Sequence, residues 1–174
     1  MIGGKIISNL RSRINIHNFS FRNYCLIILD RDGVINVSPT KQKRYIFNVS
    51  GLNLIKNTIN LIVEAQLNGK FVCVATNQQG VGKGLISWSN LDKLHNKINK
   101  QIMAGGGKSI KFYVCPHLET DDCVCRKPKP GLILQALRDF NVEKNKVLFI
   151  GDQLSDELTA IAAGVDFYYI NHRE

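Results

Sequence analysis

The densest chemistry in the chain stands at Asp30 and Asp32, two carboxylates separated by Arg31 and followed by Gly33. Carboxylates this close repel each other unless a cation lies between them or one keeps a proton. A hard cation such as Mg2+, held by oxygens and leaving positions for a phosphate, resolves the conflict. An EF-hand does not fit: counted from Asp30, the glycine comes too early and the twelfth position is Lys41 rather than glutamate. A strand ending in a solvated turn would also produce D-x-D-G, so the remaining chain has to decide.

Three further groups could act on a phosphate. Thr76-Asn77-Gln78-Gln79-Gly80-Val81-Gly82-Lys83-Gly84 is a glycine-rich stretch of small hydroxyl and amide side chains, able to offer donors without Cβ obstruction. It is not a Walker loop, because the glycine spacing and the Lys-Ser/Thr ending are missing. Arg126 and Lys127 bring cations, and Gly151-Asp152-Gln153-Leu154-Ser155-Asp156 brings two more carboxylates. A carboxylate to attack phosphorus, a second to protonate the leaving oxygen, and a hydroxyl and a lysine on the equatorial oxygens suffice for phosphoryl transfer through an aspartyl-phosphate, with Mg2+ bridging nucleophile and phosphate. Cys115-x-His117 and Cys123-x-Cys125 form a separate unit with the softness and number of ligands for tetrahedral Zn2+. With all four positions filled by protein, that metal would be structural, stiffening the loop that carries Arg126 and Lys127.

These groups need elements to position them. The apolar run Leu26-Ile27-Ile28-Leu29 predicts a buried strand delivering Asp30 and Asp32 to its carboxyl end. Apolar spacing predicts a helix from near Ser50, an N-cap candidate, to Leu67, ended by Asn68-Gly69. A second strand is expected over residues 71–75, a Ser87-capped helix running to Gly105-Gly106-Gly107, and a third strand over 110–114. A helix over 130–140 with proline in its first turn, a fourth strand over 147–150, a helix through Ala163 and a strand over 167–170 complete the pattern. Strand alternating with helix means α/β, a doubly wound parallel sheet, in which Asp30/Asp32, Thr76/Asn77, the Lys127 loop and Asp152/Asp156 share one edge. The spacing leaves no stretch for a separate cap domain.

The chain has 174 residues and a net charge of +9, which suits a polyanionic partner or a phosphorylated substrate. Residues 1–24 carry Lys5, Arg11, Arg13 and Arg22 without an acidic residue and are expected to be a poorly ordered basic leader, leaving 25–174 as one domain. Five cysteines and no secretory signal argue for a reducing, cytoplasmic setting. Cys25 and Cys73 are expected to be buried thiols, and His95 and His172 surface residues. No apolar run reaches membrane-spanning length, and a monomer is expected.

L-D-R-D-G-V-I-N, T-N-Q-Q-G-V-G-K-G, C-R-K-P-K-P-G and G-D-Q-L-S-D, in that order, resemble the four motifs of the haloacid dehalogenase superfamily of phosphatases. C-P-H followed by C-x-C-R-K-P is similar to its D-glycero-D-manno-heptose 1,7-bisphosphate phosphatases and the related histidinol-phosphate phosphatases. The resemblance spans roughly residues 26–170 and implies a Rossmann-like core. It implies Asp30 as nucleophile, Asp32 as general acid/base, and Thr76 and Lys127 on the transferring phosphoryl group. It further implies Mg2+ on Asp30, Asp152 and the backbone carbonyl of Asp32; Zn2+ on Cys115, His117, Cys123 and Cys125; and substrate contacts from Asn77, Gln78, Gln79 and Arg126. Asp156 would tie down its loop or simply serve as a helix N-terminal acid. The implied activity is Mg2+-dependent removal of the C7 phosphate of a heptose bisphosphate, as used in lipopolysaccharide or another glycan. Histidinol phosphate or another small phosphomonoester is the alternative, and a nucleic-acid 3′-end phosphatase is less favoured. Two departures bear on the sugar: Ser38-Pro39-Thr40-Lys41 stands where the family usually carries a D-H-G-Y-like segment, and Gln153 where a lysine is common.

Overall fold

The computed structural model describes residues 21–39 and 45–170. Its frame is a five-stranded sheet in the order β3-β2-β1-β4-β5, with every pairing parallel. The strands are β1 (Leu26–Leu29), β2 (Phe71–Asn77), β3 (Lys111–Cys115), β4 (Val147–Gly151) and β5 (Asp166–Tyr169). The helices are α1 (Lys56–Leu67), α2 (Gln79–Gly82), α3 (Trp88–Ala104), α4 (Gly131–Phe140) and α5 (Leu154–Ala163).

The apolar run of β1 has no polar face because it is covered on both sides. Alternate residues go to opposite layers, as the two-residue period of a strand requires. Ile27, Leu29, Val72, Val74, Leu148 and Ile150 join one core with Leu61 and Ile62 of α1 and Leu91, Leu94 and Ile98 of α3. Leu26, Ile28, Cys73, Ala75, Val147 and Phe149 join the other with Leu132, Ile133 and Ala136 of α4 and Ala160 and Ala163 of α5. The three central strands run in step, Leu29 level with Val74 and Ile150, so their ends reach the carboxyl edge together. The chain leaves β1 toward β2 and β3 and returns on its other side with β4. The strand order therefore reverses between Asp30 and Asp152, the crevice in which open α/β sheets hold ligands.

The first helix begins later than the apolar spacing predicts. Val37 N donates to Asn53 O at 2.9 Å and Ile55 N to Ile35 O at 2.8 Å. The backbone of residues 53–55 is thus committed to the segment after β1, and α1 can start only at Lys56. Ser50 lies in a short 3-10 turn capped by Asn48. β2 continues two residues beyond the expected 71–75 and carries Thr76 and Asn77 in the sheet, and the glycine-rich stretch contains the single turn of α2. Ser87 caps α3 as expected, its Oγ accepting from Asn90 N at 3.2 Å. Pro130 is the residue preceding α4 rather than part of its first turn.

Three burial expectations change. Cys25 is exposed, while Cys73 is buried. His95 is 7% exposed, its ring stacked on Phe112 with centroids 3.9 Å apart; it is a core residue on the inward face of α3. Phe21 and Tyr24, assigned to the leader, are buried in the core beside α1 and α3, and Tyr24 OH donates to Asp166 Oδ2 at 2.9 Å. Residues 1–20, 40–44 and 171–174, His172 among them, lie outside the described residues. Among the described residues, one 3-10 turn and α1 stand between β1 and β2, and α2 and α3 between β2 and β3. No element among the described residues is left over for a separate cap.

Candidate active site

Asp30 is the first residue past β1, its backbone N donating to Ile150 O at 2.9 Å. Its side chain is nearly buried, and Lys127 Nζ lies 2.8 Å from its Oδ1. Lys127 also pairs with Asp156 Oδ1 at 2.6 Å, and Asp156 is wholly buried. The other oxygen of Asp156 accepts from the backbone N–H groups of Asp152 (3.2 Å) and Gln153 (3.1 Å), which closes the turn from β4 into α5. Asp156 therefore holds both the lysine and the loop of Asp152. This turn tolerates no side chain at Gly151, whose Cβ would stand 2.4 Å from Asp156 Cβ.

Lys127 is brought to the nucleophile by Asn77. Asn77 Nδ2 donates to Lys127 O and Asn77 Oδ1 accepts from Lys127 N, both at 3.1 Å. The amide expected to contact substrate thus clamps the end of β2 to the loop of Arg126 and Lys127, while still lining the cleft. Thr76 is buried at the end of β2, its Oγ1 accepting from Gln78 Nε2 at 3.0 Å. Gln78 Nε2 also reaches Asp32 Oδ2 at 2.9 Å. The open cleft above is lined by Arg31, Asp32, Pro39, Tyr45, Asn77, Gln78, Gln79 and Arg126, among others. Arg126 Nη1 donates to His117 O at 3.3 Å, which ties the cleft to the Cys/His unit.

Charge in the site follows from burial and pairing. Burial pushes Asp30 up to about 6; Lys127 opposes the rise and the neighbouring Asp156 carboxylate adds to it. For Lys127, burial disfavours the charged form, but Asp30 and Asp156 outweigh it and hold the ammonium more firmly protonated than usual. Asp32 goes the other way from Asp30: burial would raise it, yet the Arg31 charge and hydrogen bonds from Asn36 and Gln78 hold it below the usual carboxylate range. The two carboxylates of the motif thus have opposed environments: with neither cation nor phosphate beside them, Asp30 favours its proton and Asp32 its charge.

Two clusters can hold a metal. Single ligand atoms from Asp30, Asp152 and Asp156 lie within 4.8 Å of one another. Asp152 Oδ1 is buried without a hydrogen-bond partner, which is how an oxygen waiting for a cation is placed. Asp156 is occupied by Lys127 and the turn, leaving Asp30 and Asp152 as the side-chain ligands of choice. The side chain of Asp32 is engaged by Arg31, Asn36 and Gln78, leaving it only a backbone carbonyl to offer, as the resemblance implies. Gly33 has φ +88°, and a Cβ there would come 2.1 Å from Asp152 Oδ2, so the turn after Asp32 can close on the cation crevice only with glycine.

In the second cluster, Cys115 Sγ is 3.6 Å from Cys123 Sγ and 3.7 Å from His117 Nδ1, while Cys125 Sγ is 3.5 Å from Cys123 Sγ and 3.2 Å from His117 Nδ1. The edges of a tetrahedron built on zinc–sulfur bonds are about 3.7 Å. The four ligands already stand at those corners, and the sulfurs are far beyond disulfide distance.

Sequence reasoning missed Arg31, Asn36 and Tyr45. Arg31 is 1% exposed and forks onto Asp32; the available signal was an arginine lodged between two acids at the end of an apolar run. Asn36 donates to Asp32 Oδ1 at 2.9 Å, and nothing in its local sequence marks it. Tyr45 lines the cleft from beyond Ser38-Pro39-Thr40-Lys41, and nothing in its local sequence marks it either.

The haloacid dehalogenase-like hydrolase family profile matches residues 109–170. The D-glycero-beta-D-manno-heptose-1,7-bisphosphate 7-phosphatase of Neisseria meningitidis is 36% identical over 79% of this chain and 72% of its own length. The D-glycero-alpha-D-manno-heptose-1,7-bisphosphate 7-phosphatase of Campylobacter jejuni is 34% identical over 80% of this chain and 77% of its own. The crystal structure of D,D-heptose 1,7-bisphosphate phosphatase from B. bronchiseptica, complexed with magnesium and phosphate, superposes with a TM-score of 0.78 at 31% identity, covering 83% of this chain and 79% of that one. At these identities and coverages the chain belongs to the haloacid dehalogenase-like hydrolases, among the heptose-bisphosphate phosphatases, and is a phosphoric monoester hydrolase.

Proposed function

We propose that this protein removes the C7 phosphate of a D-glycero-D-manno-heptose 1,7-bisphosphate through an aspartyl-phosphate on Asp30. The observation that carries the reading is the Asp30–Lys127–Asp156 arrangement, joined through Asp32 and Arg126 of the same segments to the cleft those two line, in a chain whose relatives bear that activity in their names. Lys127 and Thr76 would hold equatorial oxygens of the transferring group. Asp30 Oδ attacks phosphorus as the P–O bond to C7 breaks, and Asp32, which must first take up a proton against the Arg31 charge, gives it to the leaving oxygen. Asp32 then takes a proton from the water that attacks the aspartyl-phosphate, releasing inorganic phosphate and restoring Asp30. Asp30, Asp152 and the Asp32 carbonyl would hold Mg2+, which would supply the charge neutralisation that lets a carboxylate approach a phosphate. Cys115, His117, Cys123 and Cys125 would hold Zn2+, which would fix the loop of Arg126 and Lys127. Arg126, fixed to the Zn2+ loop, suits the distal anionic group of a bisphosphate.

The test is phosphate release with Mg2+ across α- and β-heptose 1,7-bisphosphate, fructose 1,6-bisphosphate, histidinol phosphate and a 3′-phosphorylated oligonucleotide. A preference of tenfold or more in kcat/KM for one heptose anomer supports the reading and names the anomer. Preference for histidinol phosphate would move the assignment to that substrate. Turnover of the oligonucleotide, with affinity falling steeply as salt rises, would assign the cleft to nucleic acid.

A further inference from the structure

Asp32 is held more tightly than a proton carrier in a cleft needs to be. Its Oδ1 accepts from Arg31 Nη2 (2.9 Å), Arg31 Nε (3.2 Å) and Asn36 Nδ2 (2.9 Å); its Oδ2 accepts from Arg31 Nη2 (2.8 Å) and Gln78 Nε2 (2.9 Å). Burying a guanidinium is costly unless its position is used, and Arg31 is 1% exposed. Around it the fold keeps three buried polar atoms without hydrogen-bond partners: Arg31 Nη1, Asn36 Oδ1 and His95 Nε2. Arg31 and Asn36 meet on Asp32 Oδ1, and His95 feels the charges of both Arg31 and Asp32. The leftover atoms, a guanidinium N–H, a carbonyl oxygen and an imidazole nitrogen, are complementary in kind but make no hydrogen bond to one another. Such groups are rarely orphaned in a core without a role. Burial, reinforced by the Arg31 charge, keeps His95 neutral, and its stacking on Phe112 fixes its plane, 6° from parallel.

We propose that Arg31 is a positioning residue that aims Asp32 at the leaving oxygen, and that the buried imidazole of His95, with Asn36, supports Arg31 from behind. The inference rests on Asp32 being the general acid of a phosphatase. Misaiming the acid penalises a substrate in proportion to its need for a proton. A sugar alkoxide leaves poorly without one; 4-nitrophenolate and acetate leave readily. The quantity to compare is kcat/KM, which reports the steps through first P–O cleavage and is blind to later hydrolysis of the aspartyl-phosphate.

The experiment measures kcat/KM for heptose 1,7-bisphosphate and for 4-nitrophenyl phosphate or acetyl phosphate, in wild type, Asp32→Asn, Arg31→Met and His95→Phe, with folding checked by thermal melting. Loss of general acid catalysis is worth about 10²-fold or more. Arg31→Met is expected to lose about 10²-fold on the sugar phosphate and under about threefold on the activated ester, matching the split of Asp32→Asn. His95→Phe retains the ring stack and is expected to show the same split at roughly three- to tenfold. Parallel losses on both substrates, or no loss on either, would overturn the proposal. If Arg31→Met does not fold, His95→Phe decides alone: the split supports the proposal and its absence overturns it. Wild type that turns over neither class would instead remove the phosphatase reading on which the inference rests.

Discussion

At the scale of single residues, the site is built from opposed pairs. Lys127 is charged in a buried place only because Asp30 and Asp156 flank it, and a buried pair broken on one side costs about 3–5 kcal/mol. Asp156→Asn is therefore expected to lower stability by about that amount and also to reduce kcat, since Lys127 and the Asp152 loop lose their common anchor; denaturant melts and steady-state kinetics check both. His95 gives a pH prediction. Its ordinary value of 6.5 falls to about 3 in the fold through burial and the nearby Arg31 charge, so the unfolded chain binds a proton that the folded chain refuses. Stability from this group is complete above pH 6.5 and is lost as pH falls toward 3. At pH 5 wild type should have lost about 2 kcal/mol through it, and His95→Phe should not. Asp30, raised by burial to about 6, works in the opposite direction but is common to both proteins and drops out of the difference. Asp30, Asp32, Thr76, Lys127 and Asp152 were legible in the sequence because each is a chemical type at the end of a recognisable run. Arg31 and His95 were not, since a charge and an imidazole look like surface groups until long-range packing buries them.

At the scale of elements, local signals worked where local physics governs. Ser87 and the glycines after Ala104 bound α3 as the sequence says, because capping satisfies backbone groups within a few residues. The start of α1 was illegible because Asn53 and Ile55 are claimed by backbone partners at Val37 and Ile35, a pairing set by tertiary contact rather than by periodicity. The cluster of Cys115, His117, Cys123 and Cys125 was legible as a spacing, and the structure adds what it supports: Arg126 bonds the backbone of His117, and Lys127 follows directly. Chelating Zn2+ is expected to lower Tm by several degrees and cut kcat/KM at least tenfold while leaving the sheet intact by far-UV circular dichroism. Metal content measured in parallel should fall from one Zn2+ per chain to none.

At the scale of the molecule, parallel strands in register bring Asp30, Thr76 and Asp152 to one edge, and the reversal of strand order between β1 and β4 opens the crevice among them. That much followed from counting strands and helices. The place of Phe21 and Tyr24 in the core did not, because they sit in a basic stretch whose composition hides them; both are buried in the α1/α3 layer. Phe21→Ala is expected to cost about 3 kcal/mol, measurable as a shifted denaturant midpoint at unchanged slope. The central claim is that Asp30 attacks the C7 phosphate and no other. The most direct measurement is 31P NMR of heptose 1,7-bisphosphate during turnover with Mg2+, using wild type and Asp30→Asn. The account predicts loss of the C7 phosphate resonance, growth of inorganic phosphate and a persisting C1 phosphate resonance with wild type, and no change with the variant. Loss of the C1 resonance first, or turnover by Asp30→Asn, would contradict it.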